Sequence, residues 1–242
     1  DALYNLCQHL PQIMAPAAWD IFHGEDGPQV VIAIIDNGVD CKHSDLALNI
    51  WQNLGEDANG YGRTLEFING EWVFDPGDLN GIDNDGNGFV DDLIGWDMVL
   101  NNDNSNHNWG ENHGTHCAGI AAGVTDNTHG ISSISWNVKV MPLQVAQADG
   151  IFAGAYNGII YAAENGADFI SNSWSGLVYS QANQDVINYA TQLGSVILAS
   201  AGNYNSRTTD LNAKRSNDYF CTTYWLDNCL LYTSPSPRDR TR

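Results

Sequence analysis

A histidine stands at the mouth of a run of small and apolar residues, Asn112-His113-Gly114-Thr115-His116-Cys117-Ala118-Gly119-Ile120-Ala121-Ala122-Gly123. Gly114, Ala118, Gly119, Ala121, Ala122 and Gly123 let a helix press closely on a sheet, which would hold His113 rigidly with its imidazole aimed outward. A residue placed that way suits acid–base chemistry. Two other polar residues share a comparable setting. Asp36 follows the apolar run Val30-Val31-Ile32-Ala33-Ile34-Ile35, and Asn203 follows Ser195-Val196-Ile197-Leu198-Ala199-Ser200-Ala201-Gly202. In a parallel sheet the C-terminal ends of strands lie along one edge, where open α/β sheets bind ligands. An Asp can fix the tautomer of a His and stabilise the imidazolium that forms. An Asn amide facing them can donate to a developing oxyanion, an effect of about 3–4 kcal/mol in the transition state.

The elements that must position these residues follow from periodicity. Residues 11–20 read as a short helix and residues 30–35 as a strand buried on both faces. Val138 to Val145 reads as another buried strand, Ile151 to Asn165 as a small-residue helix closed at Asn165-Gly166, and Ala167 to Trp174 as a strand. A helix over Gln181–Leu193 closed by Gly194 and a last strand from Ser195 complete the alternation. Strands alternating with helices predict an α/β architecture with a parallel sheet covered on both sides.

Residues 51–112 break this pattern and are rich in Asn, Asp and Gly. Within them, Asp83-Asn84-Asp85-Gly86-Asn87-Gly88-Phe89-Val90-Asp91-Asp92 has the spacing of a calcium-binding loop. Asp83, Asp85 and Asn87 stand at positions 1, 3 and 5, Gly88 at the sharp turn, the Phe89 carbonyl at 7 and Asp91 at 9. Ile94 occupies position 12, where a glutamate completes an EF-hand, so the loop is a partial version. Hard oxygen donors favour calcium over a softer metal. Leu93–Val99 is predicted to be a short strand anchored by the loop.

Composition narrows the class. At 242 residues and 43% apolar content the chain can build a real core, and no apolar run is long enough for a membrane span. Cys229-Leu230-Leu231-Tyr232-Thr233-Ser234-Pro235-Ser236-Pro237-Arg238-Asp239 has the look of a translated library adapter, so residues 229–242 are expected to be non-native and 1–228 to be the domain. Removing Arg238, Arg240, Arg242 and Asp239 from 9 basic and 29 acidic residues leaves 6 against 28, a net charge near −22. Such a chain lacks the basic patches that nucleic acid or an anionic membrane would need. Cys7, Cys41, Cys117 and Cys221 form no CxxC pair, which argues against zinc ribbons and thioredoxin-like chemistry.

Taken together, Ile34-Ile35-Asp36-Asn37-Gly38-Val39-Asp40, His113-Gly114-Thr115-His116-Cys117-Ala118-Gly119 and Ala199-Ser200-Ala201-Gly202-Asn203 resemble the subtilisin-like serine proteases, over roughly residues 8–228. The resemblance implies an incomplete three-layer subtilisin-like α/β fold, with a mostly parallel buried sheet and helices on both faces. It also implies an endopeptidase secreted from the cell, acting on polypeptides, with a propeptide as a further partner. Asp36 would orient His113, His113 would act as base and then acid, and Asn203 would complete the oxyanion hole. His116 would be structural. Ser173-Trp174-Ser175-Gly176 is similar to the strand that pairs with substrate and edges its primary pocket, with Ser175 where a glycine is common. Asp45 and the loop carrying Asn127 fall where relatives hold calcium. Ser44 stands where a proline is common, and Cys117 resembles the free thiol of proteinase K-type enzymes.

The departure is an absence. The family's nucleophile lies in Gly-Thr-Ser-x-Ala-x-Pro, and no segment of the sequence matches it. The chain is therefore expected to end before the serine and to hydrolyse nothing by itself. Two further readings compete. One is a noncatalytic, calcium-stabilised extracellular domain, against which the joint presence of Asp36, His113 and Asn203 argues. The other is a zinc enzyme using His113 and His116, which lacks the glutamate of HExxH.

Overall fold

The computed structural model describes residues 1, 3–24, 27–103, 112–146, 152–174, 180–200 and 229–232. The chain divides into two compact units, Asp1–Gly158 and Ile159–Arg242.

In the first unit two short helices, α1 (His9–Gln12) and α2 (Ala15–Trp19), replace the single helix expected over 11–20. Met14, at φ 62°, lies in the left-handed region and separates them, and Pro16 stands in the first turn of α2, where its missing N–H costs nothing. The apolar run becomes β1 (Val30–Asp36), whose last four residues are fully buried. Its run of β-branched side chains suits a strand covered on both faces. The antiparallel hairpin β2 (Leu65–Ile68) and β3 (Glu71–Phe74) lies in the Asn/Asp/Gly-rich region. Asn69 and Gly70 turn it, with φ values of 53° and 90° that match a type I′ turn. The expected strand over 93–99 is shorter, β4 (Trp96–Asp97).

Helix α3 (His113–Ala122) packs on β1 and on β5 (Val138–Gln144). Its buried face is Gly114, Ala118 and Ala122, at i, i+4 and i+8. These residues meet a core that includes Ile34, Val39, Leu46, Ile50, Ile94 and Val140. β5 is parallel to β1, from Val30 opposite Val138 to Asp36 opposite Gln144, and β4 is parallel to β5. Gly95 precedes β4 with φ 148°, and a Cβ there would lie 2.0 Å from the Pro142 carbonyl oxygen, so only glycine lets the chain enter that strand.

Helix α4 (Ala155–Glu164) is shorter than the expected 151–165 helix, because Gly154 at φ 76° precedes its first turn. The second unit carries β6 (Phe169–Asn172), α5 (Gln181–Gln192), β7 (Val196–Ser200) and β8 (Cys229–Tyr232). β7 pairs in parallel with both β6 and β8. Ser180 caps α5 by accepting from the Asn183 N–H at 3.1 Å, and Gly194 follows its end at φ 106°. β8 falls within the segment expected to be non-native; of residues 229–242 only this strand is described.

Candidate active site and cation-binding loops

The site is built from the end of β1 and the start of α3. Asp36 is the last residue of β1 and is buried, while His113 is the first residue of α3. His113 Nδ1 lies 2.9 Å from both Asp36 carboxylate oxygens. The His113 side chain is 55% exposed and that of Asp36 only 4%. One ring nitrogen is thus committed to a buried carboxylate, and the ring itself is presented to solvent.

Neighbouring contacts fix this geometry. Asp36 Oδ1 also accepts from the Asn37 N–H at 2.8 Å, and the Asp36 carbonyl accepts from the Val145 N–H at 2.7 Å. Asn37 Oδ1 accepts from the Gly114 N–H at 2.9 Å, satisfying an unpaired donor of the first helical turn. Thr115 Oγ1 accepts from the Asp40 N–H at 2.9 Å. A Cβ on Gly114 would lie 2.3 Å from the Gly38 carbonyl oxygen and 3.0 Å from Asp36 Cβ. The glycine after the histidine is therefore what lets α3 bring His113 onto Asp36.

Cys117, one turn further on, has its Sγ 4.0 Å from His113 Nδ1. Cys41 is a free thiol, and burial pushes it up to about 12, which makes it inert. Among the described residues, the metal-competent group that contains His113 is Asp36, His113 and Cys117. His116 is not in it, and instead lines a separate cavity of about 430 Å³ with Asp40 and His43. Among the described residues, no group of three metal-competent ligands contains both His113 and His116.

Of the expected substrate strand, Ser173 and Trp174 follow β6, and the Trp174 carbonyl accepts from Ser200 Oγ at 3.4 Å. Ser175, Gly176 and Asn203 lie outside the described residues.

The acidic loop is organised by its own amides. Asp83 Oδ1 accepts from Gly86 N at 2.7 Å and Asn87 N at 3.1 Å, and Oδ2 from Gly88 N at 2.8 Å. These bonds, Gly88 first, hold its carboxyl below the usual range. Asp85 Oδ1 accepts from Asn87 N at 3.0 Å, and Asn87 Oδ1 accepts from Phe89 N at 2.8 Å. The Phe89 ring packs edge-on to Trp96, with centroids 5.1 Å apart.

Sequence reasoning missed Glu56. It is fully buried, and its carboxylate groups with those of Asp83 and Asp85. Glu56 Oε1 accepts from Asn84 N at 2.8 Å, while Oε2 is buried with no hydrogen-bond partner. Burial raises the Glu56 carboxyl, and the charges of Asp92 and Asp85 add to the effect. Asp92, also fully buried, binds Asn53 Nδ2 at 2.9 Å and Asn87 Nδ2 at 3.0 Å. Asp91 is not in the group: at φ 56°, it accepts from the amides of Asn80 and Gly81 at 3.0 Å. Glu56 lies 27 positions before Asp83, beyond the reach of a loop pattern.

Asp45 is buried, and its oxygens accept from Asn127 Nδ2 at 3.0 Å and Ile131 N at 2.9 Å. Asp1, which no pattern indicated, accepts from Asn127 N at 2.9 Å and from Ser132 Oγ.

The model of the subtilase family matches residues 27–224. Thermitase from Thermoactinomyces vulgaris is 34% identical over 220 residues, covering 90% of this chain and 62% of thermitase. A thermophilic serine proteinase from Bacillus sp. (strain AK1) is 32% identical over 212 residues, covering 86% of this chain and 41% of that protein. The chain thus spans less than two thirds of the length of either relative. The crystal structure of fervidolysin from Fervidobacterium pennivorans, a keratinolytic enzyme related to subtilisin, superposes with a TM-score of 0.52 at 22% identity, covering 80% of this chain and 23% of that one. That likeness shows the fold, a subtilisin-like α/β architecture with a mostly parallel sheet and helices. The chain belongs to the subtilase family.

Proposed function

We propose that these residues form the Asp–His part of a secreted serine endopeptidase acting on polypeptide substrates. The observation that carries the reading is the buried Asp36 carboxylate within 2.9 Å of Nδ1 of a solvent-facing His113. With Nδ1–H donated to Asp36, Nε2 is the nitrogen that takes the proton from a serine hydroxyl as its oxygen attacks the scissile carbonyl. Asp36 stabilises the imidazolium without itself becoming protonated. His113 then returns the proton to the leaving amine, and water repeats the cycle on the acyl-enzyme. Asn203 is assigned as the oxyanion donor, and Ser173–Gly176 as the segment that holds the substrate backbone.

The serine itself would come from a Gly-Thr-Ser-x-Ala-x-Pro segment that these 242 residues do not contain. The chain alone is therefore expected to remain unlabelled by a fluorophosphonate probe. Phosphonylation of it would overturn the expectation that the serine lies outside these residues. The competing reading is a noncatalytic, calcium-stabilised protease-like extracellular domain, against which the joint presence of Asp36, His113 and Asn203 argues. Determining the longer reading frame separates the two, since an intact domain without that segment would support the second.

Calcium is proposed as a structural ion at two places. The Asp83 loop fits it, because its donors are hard oxygens and the buried Glu56 Oε2 has no other partner. Asp83, Asp85, Asn87 and the Phe89 carbonyl would hold the ion, with Glu56 supplying what Asp91 was expected to give. Asp45 and Asn127 would hold the other. A bound ion would neutralise buried charge and fix these loops. At free calcium about 100-fold above Kd each ion adds about 2.7 kcal/mol, so chelation should lower Tm by about 5–10 °C per site. The pH dependence has a defined sign for Glu56. Its folded pKa is raised, so in chelator its contribution is greatest below the unfolded carboxylate range and is lost as pH rises through the folded value. The calcium-dependent gain in Tm should therefore be larger at about pH 7 than at about pH 4.5. Scanning calorimetry with and without chelator checks both. No change in Tm at neutral pH would contradict the assignment.

No helix among the described residues is long and apolar enough to cross a membrane.

A further inference from the structure

Asn37 follows Asp36 and is itself followed by Gly38, one of seven Asn-Gly pairs in the chain. In such a pair the glycine amide nitrogen can attack the asparagine side-chain carbonyl and close a five-membered ring, because no side chain shields the nitrogen. In a folded chain the attack depends on what already holds that amide. Five of the pairs have it bonded. Gly60 N donates to Asp57 Oδ1 at 2.8 Å, Gly81 N to Asp91 Oδ2 at 3.0 Å and Gly88 N to Asp83 Oδ2 at 2.8 Å. Gly158 N donates to the Gly154 carbonyl at 2.9 Å and Gly166 N to the Ala163 carbonyl at 3.3 Å. Among the described residues, the amides of Gly38 and Gly70 reach no acceptor in hydrogen-bond geometry, although Asn37 forms an isolated bridge with Gln144. Asn69-Gly70 is the exposed turn of the β2–β3 hairpin, so Asn37-Gly38 is the one open pair that borders the Asp36–His113 site.

Both reacting groups of this pair are prepared by the fold. Gly38 is buried at φ 91°, a conformation that keeps glycine at this position, and a buried amide N–H without a good acceptor is rare. On the other side, Asn37 Oδ1 accepts from the Gly114 N–H at 2.9 Å, in the first turn of α3. The unpaired amides and the dipole of that turn favour negative charge. Attack on Asn37 Cγ develops negative charge on this same oxygen. The bond from Gly114 therefore strengthens in the transition state, as a donor in an oxyanion hole does.

We propose that Asn37 is a site of spontaneous modification, converted through a succinimide to aspartate and isoaspartate. Gly38 N gives its proton to water and bonds to Asn37 Cγ. The Cγ–Nδ2 bond breaks, and Nδ2 leaves as ammonia with a proton from water. A second water then opens the ring at either carbonyl, so the sequence of steps consumes only water. Isoaspartate carries the main chain through Cβ and Cγ, which lengthens it by one methylene between Asp36 and Gly38. A Cβ on Gly114 would already lie 2.3 Å from the Gly38 carbonyl oxygen, so there is no room for the longer chain beside α3. The modification thus sets a lifetime on the contact that brings His113 onto Asp36.

The proposal is independent of the protease reading, and its test needs no catalysis. The unsubstituted chain is kept folded in mildly alkaline buffer and sampled over time by peptide mapping with mass spectrometry. Isoaspartate methyltransferase labelling identifies the rearranged product. A parallel sample in denaturant gives the intrinsic rate of each Asn-Gly pair, to which the folded rates are normalised. Asn37 is expected to convert roughly tenfold faster than Asn80 and Asn87, whose glycines must first break a hydrogen bond. Conversion of Asn37 no faster than that of Asn80 and Asn87 overturns the proposal, as does an intact Asn37 amide once Asn69 has converted.

Discussion

Replacing His113 by alanine, in a longer polypeptide where these residues are followed by a Gly-Thr-Ser-x-Ala-x-Pro segment, is expected to lower kcat by about 10⁶-fold. Without the imidazole the serine proton loses its assigned acceptor, and the other members of the constellation cannot act alone. The residual rate would come from oxyanion stabilisation and binding, about 10³–10⁴-fold over water. His116→Ala is the control, because His116 lines a different cavity and takes no part in the Asp36 pair. It should leave kcat within a few-fold of the parent. Steady-state hydrolysis of a peptide amide, with folding checked by circular dichroism, measures both. Equal losses in the two variants would mean that the wrong histidine has been assigned.

Asp36→Asn in the same polypeptide should lower kcat by about 10⁴-fold and leave KM nearly unchanged. The amide is the same size as the carboxylate and can keep its bond to the Asn37 N–H, so little should move. What changes is the hydrogen-bonding partner of Nδ1. Asp36 accepts from Nδ1–H through either oxygen, each 2.9 Å away. An asparagine that turns its NH₂ toward Nδ1 would favour the tautomer protonated at Nε2, which cannot accept the serine proton. The buried negative charge that stabilises the imidazolium is lost as well. A loss seen in KM rather than kcat would place Asp36 in substrate binding instead.

How much of this was legible in the sequence depends on where the signal sat. The strand ending at Asp36 and the helix opening at His113 were read closely, because a β-branched apolar run and a stripe of small residues carry their own periodicity. Gly114 explains why that stripe starts immediately after the histidine: the helix meets the strand end there with no room for a Cβ. The hairpin Leu65–Phe74 was missed although Asn69-Gly70 between Phe67-Ile68 and Glu71-Trp72 is a strong local turn signal. It was obscured by the polar loops on either side. Boundaries set by left-handed residues, such as Met14 and Gly154, also escaped periodicity, which records side-chain burial and not backbone sign.

The acidic region shows the other limit. Counting along the loop named Asp83, Asp85, Asn87, Phe89 and Asp91, and the fold groups two of these carboxylates, Asp83 and Asp85, with Glu56. Of Asp91 and Asp92, Asp92 is the buried one, and it bonds Asn53 and Asn87 while Asp91 caps the Asn80 and Gly81 amides. Glu56 reaches its loop through a tertiary contact, and no spacing rule holds information about that. Buried oxygens without donors became visible only once the fold had placed them.

The central claim is that His113, oriented by Asp36, activates a serine supplied outside these residues. Fluorophosphonate labelling of the longer polypeptide tests it most directly. One probe should attach per chain, on the serine of Gly-Thr-Ser-x-Ala-x-Pro, and labelling should vanish with His113→Ala while surviving His116→Ala. Labelling that proceeds at the same rate without His113, or none at all in a folded and intact chain, would contradict the account.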